Sequence, residues 1–248
     1  MIDLTILVLA AFGAGALNTV AGGGTFLTLP ALILTGVPPV AANATSAAAV
    51  FPGYAGGALG FAPEMRAFDR ALLVRLTLVT LAGGLLGSIL LLLSSDAAFS
   101  VVVPFLLLAA TATFLWSDRI RAFAAARSRG VTPHGAAGLF CVAVYGGYFN
   151  GGLGIVLLAL FALWGMTDLH RMNGLKVVLS FALSAISVAT FAVAGLVHWA
   201  PALAMMVAAT AGGYAGAPLA RVIPMRILRY LIAAIGLGMS VLFFVRLF

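Results

Sequence analysis

Residues 135–165 read GAAGLFCVAVYGGYFNGGLGIVLLALFALWG. Two apolar runs, 135–149 and 153–165, stand on either side of Asn150-Gly151-Gly152. Neither run crosses a membrane comfortably, because a helix needs about 20 residues to traverse the hydrocarbon core. Glycine clusters of this kind break helices. The stretch therefore predicts a hairpin of two short helices that enters a membrane and comes back. The amino end has the same arrangement, with apolar runs at 4–21 and 25–36 flanking Gly22-Gly23-Gly24.

The rest of the chain fits that reading. Of its 248 residues, 64% are hydrophobic and 8% charged. Soluble domains carry about 45–50% apolar and about 25% charged residues, so this chain has too little polar surface to be one. Further apolar runs fall at 40–61, 71–93, 98–117, 174–197, 201–220 and 225–247. They are continuous, whereas strands of a membrane barrel alternate apolar and polar residues. Helices are thus the expected spanning unit, since lipid offers no partner to an unpaired backbone group. Asp3 stands where a secretory signal would carry positive charge, so the first run reads as a retained membrane segment. The single cysteine, Cys141, precludes an internal disulfide.

The chain also repeats. Ala82-Gly-Gly-Leu-Leu-Gly-Ser88 matches Ala211-Gly-Gly-Tyr-Ala-Gly-Ala217 at a shift of 129, and Gly36 matches Gly165 at that shift. Gly22-Gly23 matches Gly151-Gly152, and Asn43 and Ser46 match Asn173 and Lys176 one position further on. The expected organisation is a first unit over 1–117, a basic linker over 118–134 and a second unit over 135–248. Gly83-x-x-x-Gly87 and Gly212-x-x-x-Gly216 read as helix-packing motifs.

Net charge is +7, but the arginines lie between apolar runs, so topology explains them better than nucleic acid does. Arg66, Arg70 and Arg75, the linker's Arg119, Arg121, Arg127 and Arg129, and Arg221, Arg226 and Arg229 mark cytoplasmic loops. Arg171 marks 166–173 weakly the same way, while 36–42, 94–97 and 198–200 carry no basic residue and read as external. Each unit is then one hairpin plus three full spans. Three is odd, so the two units are expected to be inverted, a mark of secondary transporters.

Of the 13 basic residues only Lys176 is a lysine, and it sits at the start of a long apolar run. A cation within a membrane helix is costly and marks a functional site by default. The alternative is that it snorkels to the interface. Asn173, three positions earlier, shares its helical face. If 25–36 and 153–165 are half-helices, their N-termini present free N–H groups and a positive dipole end to an anion. Glycine lets a ligand approach that backbone. Gly23, Gly24, Gly151, Gly152 and Leu153 are the backbone candidates, with Thr25, Asn43, Thr45, Ser46, Asn150 and Asn173 as neutral hydrogen-bonding side chains. The histidines do not cluster at metal-ligand spacing, and no catalytic motif, nucleotide loop or cofactor site appears. The acidic residues lie near segment ends, which disfavours a cation carrier built on buried carboxylates.

Four stretches together resemble the sulfite exporter TauE/SafE family of bacterial membrane transporters: residues 13–30 (GAGALNTVAGGGTFLTLP), 42–46 (ANATS), 145–154 (YGGYFNGGLG) and 173–176 (NGLK). The resemblance covers both halves. Where such proteins carry Ala-Asn-Ala-Leu-Lys, this chain has Met172-Asn-Gly-Leu-Lys176. The resemblance implies an inner-membrane protein that moves sulfite or an organosulfonate such as sulfoacetate. The expectation is therefore an all-α polytopic membrane protein, not an enzyme and without cofactor. It would export a small sulfur oxyanion held between the two glycine hairpins. Its partners would be the anion, the bilayer and, as an open question, further copies of itself. Competing readings are a carrier or channel for another solute, such as thiosulfate or a metal ion, and an intramembrane enzyme or assembly factor.

Overall fold

The structure, a computed structural model, describes residues 2–20, 23–60, 65, 68–127, 134–222 and 225–247. Gly22, Arg66 and Arg129 lie outside these residues, as do the surroundings of Gly216 and the side chains of Arg221, Arg226 and Arg229. The regular elements among the described residues are all α-helices: α1 (Ile2–Val20), α2 (Thr25–Leu34), α3 (Pro39–Gly60), α4 (Arg70–Leu93), α5 (Asp96–Leu115), α6 (Ser117–Ala126), α7 (Ala136–Tyr148), α8 (Leu153–Leu163), α9 (Leu169–Val193), α10 (Trp199–Val222) and α11 (Met225–Leu247).

Ten of these follow the ten apolar runs. Two boundaries differ. The linker, expected to be a polar connection, contains α6, which packs against α8 and buries Ala124 there. And α9 begins at Leu169, because Asp168 caps it by accepting hydrogen bonds from the His170 and Arg171 amides at 2.9 and 3.2 Å. Asn173 and Lys176 are therefore both inside the helix. Three helices, α4, α5 and α9, are long and apolar enough among the described residues to cross a membrane. The outward faces are themselves apolar: Val193 is 92% exposed and Val207 74%, a distribution suited to lipid rather than water.

The two short helices α2 and α8 each contribute to a buried cluster. Phe26, Leu29 and Leu32 of α2 share one with Phe99, Val103 and Leu107 of α5. Leu153, Leu157 and Phe161 of α8 pack with Leu175, Leu179 and Leu183 of α9. Both short helices also end the same way. At Gly36 (φ +88°) and Gly165 (φ +82°) the chain turns left-handed. The amides of Val37 and Met166 then reach back to Leu32 and Phe161, both at 3.0 Å.

Helix partners come in matched sets. α1 packs on α10, and α4 on α7; α3 packs on α10, and α9 on α4; α3 also packs on α9, and α5 on α11. Glycine makes the first of these contacts close. A side chain at Gly15 would strike the backbone of Ala209, and one at Gly212 the backbone of Phe12. Across the other pair, Gly87 lies against Val144 and Gly147 against Gly84. The expected packing role of Gly83, Gly87 and Gly212 is thus a backbone-to-backbone approach that no other residue permits.

The loops gather at two ends. Phe68, Asp69, His134, Trp164, Asp168 and Arg171 surround a cavity of about 360 Å³ at one. At the other, Asp96 accepts from the Val40 amide at 2.9 Å and Thr45 from the His198 amide at 3.0 Å. α4 and α9 leave the Arg171 end; α3, α5 and α10 leave the Asp96 end.

Candidate functional site

The first hairpin tip joins α1 to α2. Asn18, near the end of α1, turns its side chain over the break, and its Oδ1 accepts from the amides of Gly23 (3.0 Å) and Gly24 (2.8 Å). Those two N–H groups, expected to face a ligand, are occupied by the chain itself. Gly24 is seated tightly: a side chain there would come within 2.7 Å of the Ala14 carbonyl and of the Asn18 amide nitrogen. Thr25 is buried at the first turn of α2. One turn on, Thr28 and Ser46 of α3 share a hydroxyl hydrogen bond of 2.6 Å.

The second tip joins α7 to α8 and is built differently. Asn150 (φ +62°) and Gly152 (φ +71°) both adopt left-handed conformations. The Leu153 amide is drawn onto the Asn150 carbonyl at 3.3 Å, and those of Ile155 and Val156 onto the Gly152 carbonyl at 3.0 and 3.3 Å. The Gly151 carbonyl accepts from the Tyr145 hydroxyl. Leu153 is thus less available than expected, while the amides of Gly151 and Gly152 have no hydrogen-bond acceptor among the described residues. Asn150 is 7% exposed, and its Oδ1 has no hydrogen-bond partner. Lys176 lies over this tip. Its stem passes Gly154 so closely that a side chain there would be 3.3 Å from the lysine Cδ. Its Nζ donates to Asn173 Oδ1 at 3.0 Å.

The tips meet the same helix. Gly152 lies against Ala110 of α5 and the Phe26 ring is 6.5 Å from that of Phe114, one helical turn away. Asn43 of α3 crosses to the second tip and donates to the Tyr148 carbonyl at 2.8 Å. Gly23, Gly24, Thr25, Asn43, Ser46, Asn150, Gly151, Gly152, Leu153, Asn173 and Lys176 accordingly lie at or beside the two tips. Thr45 serves elsewhere, holding the loop before α10 through His198. Sequence reasoning missed Asn18, Thr28 and Tyr145. An asparagine shortly before each glycine cluster was the signal for Asn18.

The cavity at the Arg171 end is a separate feature. His134 lies beside Trp164 there, with ring centroids 5.3 Å apart, and so ties together the two feet of the second hairpin. Burial holds the His134 pKa below its usual value, and the guanidinium charges of Arg75 and Arg171 push it the same way.

A family model described as Sulfite exporter TauE/SafE matches residues 7–243. A "Probable membrane transporter protein" of Haemophilus influenzae is 29% identical over 215 residues, covering 86% of this chain and 84% of that one. A "Probable membrane transporter protein ORF9" of Sinorhizobium sp is 31% identical over 106 residues, covering 43% of this chain and 40% of its own length. No solved structure gives a significant match.

Proposed function

This chain belongs to the sulfite exporter TauE/SafE family of membrane transporters, and from that premise we propose that it exports a small sulfur oxyanion, sulfite or an organosulfonate such as sulfoacetate. The observation that carries the choice of an anion is the second hairpin tip. A lysine ammonium stands beside the first turn of a buried half-helix. It has one hydrogen bond, to Asn173, and two N–H bonds to spare. The Gly151 and Gly152 amides lie at the same tip, and the dipole of α8 adds positive potential there. One full charge among neutral donors suits a carrier, because an anion held by several charges would not leave.

The two units are read as inverted repeats that share this site. The reading is supported by the matched helix partners, the identical glycine ends of α2 and α8, and the opposite ends from which α4 and α10 start. The Arg171 end is read as cytoplasmic, because Arg75, Arg171 and the linker arginines lie toward it. An interior-negative potential then favours anion exit by roughly 2.3 kcal/mol per charge per 100 mV, which is enough for uniport.

The test is binding to the purified protein in detergent, measured for sulfite, sulfate, thiosulfate, taurine and sulfoacetate. Saturable binding of a sulfur oxyanion that Lys176→Ala weakens supports the proposal. Binding that is equal in the alanine variant, or absent for every one of these anions, overturns it.

A further inference from the structure

Lys176 is the first member of a polar row. Ser180, Ser184 and Ser187 follow it at intervals of four, four and three, which places all four residues on one face of α9. The row is roughly 16 Å long, at about 1.5 Å per residue. It leads from the lysine toward the Asp96 end. The three serines are buried, at 2%, 0% and 2% exposure. α4 lies alongside in a fixed register: Gly84 sits against Leu183 and Ile186, and the Ser88 and Ser187 hydroxyl oxygens are within hydrogen-bond reach at 2.9 Å. One turn before Gly84 and two before Ser88, that register brings Thr80 to about the height of Ser180.

Hydroxyls inside helices normally bond back to the carbonyl four residues earlier. Ser88 does so onto Gly84 at 2.7 Å and Thr190 onto Ile186 at 2.8 Å. Ser184 and Thr80 do not. Each hydroxyl oxygen is sealed from solvent and has no hydrogen-bond partner. Leaving such a group unpaired is expensive, and alanine or valine would pack as well without the penalty. The repeat does not preserve the row either, since Val50, Tyr54 and Gly57 stand in α3 where Ser180, Ser184 and Ser187 stand in α9.

We propose that this row, faced by Thr80 and Ser88 of α4, is the path along which the anion travels after leaving Lys176. The inference rests on the anion-carrier reading above. A hydroxyl can turn its O–H toward a passing oxyanion without moving the backbone. It is neutral, so no step of the path traps the charge. In this conformation the path is closed, and the two unpaired hydroxyls are the groups whose partner arrives when α4 and α9 part.

Ser184→Ala combined with Thr80→Val removes both unpaired hydroxyls at nearly constant volume. If the residues only pack, the double variant is as stable as wild type or more so, and transport is unchanged. On a path, sulfite efflux from proteoliposomes falls about tenfold, the worth of one hydrogen bond to a charged group. Sulfite affinity, set at Lys176, stays at the wild-type value, and Tm does not drop. Wild-type efflux by the double variant overturns the path. An unaltered Lys176→Ala affinity overturns the anion site instead, so the two failures are distinct. A solute-independent arm uses Ser184→Cys in a Cys141→Ser background with an anionic methanethiosulfonate in membrane vesicles. Modification supports the path and its absence overturns it, whichever solute is carried.

Discussion

The two hairpin tips descend from one sequence pattern and differ in how far each satisfies itself. At the first, Asn18 fills both glycine amides and Thr28 closes on Ser46. At the second, two backbone positions are left-handed, Asn150 Oδ1 is unpaired, and a lysine replaces the serine that closes the first tip. The first tip spends its donors on the chain itself, and the second keeps donors to spare beside a cation; in the function proposed above only the second binds the anion. Under that proposal a repeated motif need not mean a repeated site, because one extra side chain, Asn18, accepts from the Gly23 and Gly24 amides that the motif would otherwise leave open.

The hardest test of that asymmetry is the lysine. Lys176→Ala should weaken oxyanion binding by about 1.5–3 kcal/mol, the worth of a hydrogen bond to a charged group. Lys176→Glu should abolish binding, and Lys176→Arg should keep part of it, since the charge stays while the compact ammonium becomes a planar fork. Titration calorimetry on folded variants ranks them. An order in which Ala equals wild type would make the two tips alike.

Glycine substitutions should separate the tips by the kind of damage. Gly24→Ala meets a carbonyl and Asn18 at 2.7 Å, so its effect should fall on folding, seen as lost expression or a lower Tm. At Gly152 a side chain has room, with Ala110 at 3.4 Å, but φ is +71°. Gly152→Ala should therefore cost about 1–2 kcal/mol of backbone strain, and it should impair transport in protein that still reaches the membrane. Equal loss of Tm in both would blur the distinction.

Asn18→Ala should leave two buried amides unpaired and cost about 1–3 kcal/mol of stability by thermal unfolding, with little change in anion affinity. A variant that instead bound sulfite more tightly would show that the first tip becomes a second site once it is opened. The inverted arrangement itself is checked by cysteines placed at Val37 and Met166 in a Cys141→Ser background. These should label from opposite sides of the membrane, and labelling from the same side would end the inverted reading. The smallest effect is expected at Thr45→Val. It should cost about 1 kcal/mol through the lost His198 contact and leave transport intact.

By itself the sequence determined the membrane character, the helical class and the ten apolar helices, and it paired Gly36 with Gly165. These depend on composition and short-range backbone preference, which are written locally. It also pointed to the hairpin tips and to Lys176, because a lone lysine in an apolar run is conspicuous without any neighbour. Tertiary structure decided the rest. That Asn18 folds back on Gly23 and Gly24, that Asn43 reaches the Tyr148 carbonyl 105 residues away, and that Thr45 holds His198 all depend on which helices lie side by side. The register of α4 against α9 is set by the close approach of Gly84 to Leu183 and Ile186, and burial leaves the Thr80 and Ser184 hydroxyls on those helices unpaired. Hydrogen bonds are short and directional, so a donor's availability is settled by the last ångströms of packing, and no local pattern of residues encodes them.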